Sequence, residues 1–153
     1  MGLPEVSTIL WRERNLLELL LFKLEEERLV LTAGLSRWLP HANREVDLVI
    51  AELRQIEGAR TGALDGVAPE LGLEPGLTLR ELAAAAPPPW DGLLEQHRAA
   101  FLTTAREIAL LERAHRDLLD LRGAEAVLAW LETGETDDAE PSVPSRLHLL
   151  DDA

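Results

Sequence analysis

The chain has 153 residues, a formal net charge of −13 and 46% hydrophobic side chains, which suits one ordinary domain with a real core and excludes wholesale disorder. Its 28 acids against 15 bases repel phosphate backbones and exclude a basic nucleic-acid surface. The lack of cysteine excludes disulfides, thiolate zinc sites and cysteine nucleophiles together.

Leu, Ala, Glu and Arg dominate, all good helix formers, while Val, Ile and Thr are sparse and no stretch alternates cleanly at strand length. An all-α protein is predicted. The start, Met1-Gly2-Leu3-Pro4-Glu5, carries neither the basic segment nor the apolar stretch of a secretory signal, and no apolar run reaches membrane-spanning length. A cytoplasmic location without membrane insertion is the expectation.

A long first helix is predicted from about residue 5 to residue 33. Leu3, Leu10, Leu17, Leu24, Leu31 and Trp38 recur at seven-residue spacing, one seam of a coiled-coil-like surface. Ile9, Leu16, Leu20, Leu21 and Val30 widen that seam enough for more than one neighbour. Glu25, Glu26, Glu27 and Arg28 read as a solvated outer face. Gly34 suits the left-handed position that ends a helix.

A second helix, capped at Ser36, starting near Pro40 or continuous with the first and kinked at Pro40, is expected over about 37–62, with Trp38, Ala42, Val46, Val49, Leu53 and Ile56 at helical spacing. The short connection makes the first two helices an antiparallel hairpin. Gly58, Gly62 and Gly66 read as a helix weakening into a loop, and Pro69, Gly72, Pro75 and Gly76 mark irregular chain. Thr78-Leu79-Arg80-Glu81 has the form of a capping box and predicts a short helix over 78–86, halted by Pro87-Pro88-Pro89. Asp91 is then placed to cap a last long helix over about 91–132. Its inner stripe is Phe101, Ala105, Ile108, Leu111, His115 and Leu118, followed by a second apolar face of Leu121, Ala124, Val127, Leu128 and Leu131. Gly123 lies between the two and weakens the helix by ~1 kcal/mol relative to alanine. The domain is thus expected to occupy residues 1–133. Residues 123–153 hold eight acids and one base, Arg146, more than half of the net charge, and residues 134–153 are expected to be a disordered acidic tail interrupted by Leu147, Leu149 and Leu150.

Chemistry is scarce. His41, His97, His115 and His148 are the only histidines. Glu112 and His115 form one Glu-x-x-His pair, but a di-iron site needs two such pairs with further inward glutamates. His97 and His115, five helical turns apart, stand ~27 Å from each other and cannot share an ion. No nucleophile elbow, phosphate-cradling loop or dinucleotide fingerprint is present. Of the four serines, Ser7 and Ser36 read as helix caps, and Ser142 and Ser145 fall in the tail. The carboxylates face water, neither desolvated nor poised for acid–base work. No enzyme and no cofactor is expected. What remains is surface: the stripe over 121–131 has little of its own chain left to cover it, and an exposed apolar face marks a partner site unless it packs back or closes a homodimer.

The residues also resemble a known family. Leu10-Trp11-Arg12-Glu13-Arg14, Leu16-Leu17-Glu18-Leu19-Leu20 and Phe22-Lys23-Leu24-Glu25-Glu26-Glu27 are similar to actinobacterial FlgN-type flagellar export chaperones. So are Gly34, Arg37-Trp38-Leu39, Arg44-Glu45-Val46, and the corner Ala86-Pro87 with Pro89-Trp90. Order and spacing agree over about residues 8–120. The resemblance implies a small cytosolic chaperone of the flagellar type III export system. Such a protein binds hook–filament junction subunits (the hook-associated proteins), prevents their early assembly and delivers them to the export apparatus. It also implies a client site on the carboxy-terminal amphipathic helix, here Leu118, Leu119, Leu121, Val127, Leu128 and Leu131. Ala124 joins that set by spacing, since Leu121, Ala124, Leu128 and Leu131 follow the i, i+3, i+7 pattern of a helix anchor. The alternative is a homodimeric helical adaptor without a secreted client.

Overall fold

A computed structural model describes residues 2–133, and the side chains of residues 2–118. The described residues form four α-helices: α1 (Leu3–Thr32), α2 (Leu39–Val67), α3 (Leu79–Ala85) and α4 (Trp90–Thr133). No strand occurs among them, as the composition predicts. The predicted acidic tail lies outside the described residues.

The heptad seam forms the centre of the molecule. Leu10, Leu17, Leu24 and Leu31 are buried on α1, joined by Val6, Leu16 and Leu20. All but Leu31 form one cluster with Val46, Val49, Ile50, Leu53, Ile56 and Leu64 of α2, and Leu94, Phe101, Ile108 and Leu111 of α4. Burying each such side chain contributes about 1.5–3 kcal/mol before ordering costs. The seam stops at Leu31, because Trp38 lies in a 3-10 turn (Ser36–Trp38) and is exposed, with the Arg37 guanidinium 4.4 Å from its ring centre.

Gly34 ends α1 as the sequence predicts. Its φ of +71° lets Gly34 N–H reach the Leu31 carbonyl and Leu35 N–H reach the Val30 carbonyl, closing two open ends of the helix. The turn then returns the chain into α2, where Pro40 sits in the first turn and lacks only an N–H that would have no partner there. Ser36 makes no capping hydrogen bond, so the start near Pro40 is the one adopted. α2 also outruns its predicted end at residue 62 and continues to Val67. Gly58, Gly62 and Gly66 lie on its exposed side, while Ala63, Leu64 and Val67 are buried, and that burial offsets the poor helix propensity of glycine.

Thr78 caps α3 with both halves of the capping box: its hydroxyl accepts from Glu81 N–H, and the Glu81 carboxylate accepts from Thr78 N–H. α3 buries Leu79, Leu82 and Ala83 and packs chiefly on α4. Helix α4 begins at Trp90, one residue before the predicted cap. Asp91 lies in its first turn and accepts from Gly92 N–H. Its backbone is helical straight across Gly123 to Thr133.

Cross-helix pairs set the directions. Glu13 meets Arg60 and Lys23 meets Glu45, so α1 and α2 are antiparallel. Ser7 meets His97 and Glu27 meets His115, so α1 and α4 run parallel. The result is an up-down-up bundle with α3 inserted before the last ascent.

Candidate protein-binding surface

Two carboxylates of α1 are in the core. Glu13 accepts from Arg60 at 2.9 Å, with both side chains nearly buried, and its Oε2 atom has no hydrogen-bond partner. Burial raises the Glu13 carboxyl above its ordinary range, and Arg60 only partly counters it. Glu27 is likewise buried, which overturns its reading as part of the solvated acidic face. Its Oε1 lies 3.3 Å from Nε2 of buried His115, a contact too poorly aligned to count as a hydrogen bond. The other ring nitrogen, Nδ1, is 3.4 Å from the Leu111 carbonyl.

Sequence reasoning missed both carboxylates, although the signal was present. Leu10, Glu13, Leu17, Leu20, Leu24, Glu27 and Leu31 follow alternating spacings of three and four, so each glutamate occupies a seam position. His115 therefore turns to α1, and among the described residues no group of three or more metal-ligating side chains gathers.

At the other end of the α1–α4 interface, buried His97 has Ser7 Oγ 3.3 Å from Nε2 and an Arg14 nitrogen 3.4 Å from Nδ1. Trp11 packs edge-on against the ring at 5.0 Å, and Arg14 stacks over Trp11. Burial, then the Arg14 charge, hold the His97 pKa below the ordinary value. The cluster ties α1 to α4 with a neutral imidazole. Ser7 serves here, inside α1, and not as a cap.

Of the predicted site residues, Leu118 is half-buried at the end of the described side chains. Leu119, Leu121, Ala124, Val127, Leu128 and Leu131 belong to the helical backbone of α4, and their side chains lie outside the described residues. The register of the bundle bears on them. Glu27 stands beside His115, so Thr32, the last residue of α1, is level with about residue 120. The final thirteen residues of α4 continue past that level for about 20 Å.

Another surface escaped sequence reasoning. Trp11, Phe22 and Leu29 of α1 are 53%, 59% and 63% exposed, and Leu110 of α4 is 64% exposed. Between Phe22 and Leu110 lies an open groove of about 600 Å³, floored by Leu21, Leu111 and Ala114 and rimmed by Glu18, Glu25, Arg28 and Glu107. A smaller pocket of about 280 Å³ between α2, the 76–79 segment and α4 contains Arg60 and Arg98, both already paired, to Glu13 and Glu95.

No helix among the described residues is long and apolar enough to cross a membrane. No curated protein and no solved structure matches the chain. A family model described as FlgN protein matches residues 1–123, which takes in all of α1 to α3 and most of α4. The chain therefore belongs to the FlgN family of flagellar export chaperones, whose members bind hook-associated proteins.

Proposed function

We propose that this protein holds hook–filament junction subunits in the cytoplasm through the distal part of α4. Leu118, Leu119, Leu121, Ala124, Val127, Leu128 and Leu131 are the contact residues in this reading. The observation that carries it is the overhang: α1 ends level with about residue 120, while α4 runs on to Thr133. A helix with apolar residues at i, i+3 and i+7 that outruns its own bundle is matched to a second amphipathic helix. A client terminus bound there hides the apolar stripe it would otherwise use in assembly. An interface near ~1,600 Å² gives micromolar to nanomolar affinity, depending on preorganisation. Release needs no nucleotide, because the export apparatus competes for the client when the complex arrives.

The test is titration of the full chain with terminal helical segments of junction subunits from the same cell, beside the variant L121A/L128A/L131A. Saturable binding that the triple variant loses supports the reading. Binding that survives moves the site onto the bundle. No binding, together with a stable dimer that the same substitutions dissociate, replaces the chaperone with a homodimeric adaptor.

A further inference from the structure

We propose that the groove between α1 and α4 is a second seat in the same recognition surface, shaped for an amphipathic helix of a protein partner whose apolar face is flanked by basic residues. It rests on the chaperone reading only for the identity of the partner. Trp11, Phe22 and Leu29 follow at spacings of eleven and seven, which return to one side of a helix within ~20°. All three are exposed, in a line ~27 Å long. On α4, which runs parallel, Leu110 is followed at the same two spacings by Leu121 and Leu128. Phe22 and Leu110 face each other across the groove. The apolar register that starts there thus continues along α4 into the stretch proposed to hold the client.

Charge selects the occupant. The rim carries Glu18, Glu25 and Glu107 against Arg28, and Arg28 is already paired with Glu25 at 3.1 Å. The chain's own residues 134–153 bring six acids and one base, so their approach sets like charge on like charge. A second copy does the same, with the three rim glutamates duplicated in a chain of net charge −13. A helix with lysine or arginine beside its apolar stripe satisfies both the floor and the rim.

The probe is an 18-residue Leu/Lys amphipathic helix, compared with a Leu/Glu twin, read by fluorescence anisotropy against the full chain. The substitution F22E/L110E adds two acids, which strengthens any diffuse attraction to a basic peptide while removing the apolar seat. F22S/L110S is the charge-neutral control, and circular dichroism checks that each variant is folded. The proposal expects saturable binding of the Lys peptide, weakened about tenfold or more in both variants, and much weaker binding of the Glu twin. Equal binding by F22E/L110E, or equal binding of the two peptides, overturns it. So does a wild-type dimer that F22E/L110E dissociates, or a severalfold gain in affinity on deleting residues 134–153, since each names another occupant. Junction-subunit segments separate the two readings. If they bind F22E/L110E as well as wild type but not L121A/L128A/L131A, the groove is wrong and the chaperone stands. If only the Lys peptide binds, and the variants lose it, the groove stands and its partner is not a junction subunit.

Discussion

Replacing Arg60 by methionine tests the energetics of the bundle most directly. Arg60 and Glu13 lie in the α1–α2 interface with side chains 12% and 8% exposed, so solvent screens their 2.9 Å pair very little. Methionine keeps most of the aliphatic volume but leaves the Glu13 carboxylate buried, with Oε2 already unpartnered and Oε1 newly so. Breaking a buried pair from one side costs about 3–5 kcal/mol. For a chain of this length that lowers the melting temperature by roughly 10 °C, and the urea midpoint by roughly 1.5 M. Circular dichroism at 222 nm reads both. The pH dependence fixes the cause. A carboxyl whose pKa is raised in the fold binds protons more readily native than unfolded, so its penalty is full above the folded value and fades as pH falls through it. The R60M deficit is therefore largest near neutral pH and shrinks on acidification. The variant E13L/R60M, with no charge left, recovers much of the loss. A deficit under ~1 kcal/mol at pH 7.5, or one that grows in acid, refutes this reasoning.

Three further outcomes follow from the same structure. His97, with its pKa lowered by burial and by Arg14, contributes stability that is present above the ordinary histidine value and is lost as pH falls from there through the lowered value of the fold. NMR titration should put its midpoint below about 6.5, and H97Q should flatten the stability profile between pH 7 and 5. Thr78→Ala removes the hydroxyl half of the α3 capping box and should cost about 1 kcal/mol in urea unfolding. Gly34→Ala forces a side chain into φ +71° and should cost about 1 kcal/mol, although open space surrounds the position.

The leucine repeat of α1, the glycine that ends it and the capping box of α3 were legible because each depends on local spacing and local backbone preference. The length of α2 was not, since three glycines argue for a loop, and only the burial of Ala63, Leu64 and Val67 by other segments overrules them. Glu27 was misread because a run of like residues, Glu25 to Glu27, suggests a single fate, whereas a helix turns each one by 100° and sends the third inward. The Phe22–Leu110 groove was invisible for another reason. It exists only once α1 and α4 are parallel and level, and no spacing within either helix encodes that.

A seam built of leucines every seven residues has a weakness that its regularity creates. Sliding α1 by one heptad along its neighbours replaces leucine with leucine along that line, so the line by itself does not separate the native alignment from its shifted copies. Glu13 and Glu27 remove that degeneracy, fourteen residues apart and aimed at different neighbours, Arg60 on α2 and His115 on α4. Any one-heptad slip parts both carboxylates from their partners while keeping them in the apolar seam, and a stranded buried charge costs about 3–5 kcal/mol. Each glutamate thus indexes a different helix, and together they leave the three long helices a single mutual alignment. The level match of Phe22 with Leu110 and the length by which α4 outruns α1 are inherited from that alignment. Two residues buried inside the bundle thereby set the dimensions of the surface on its outside.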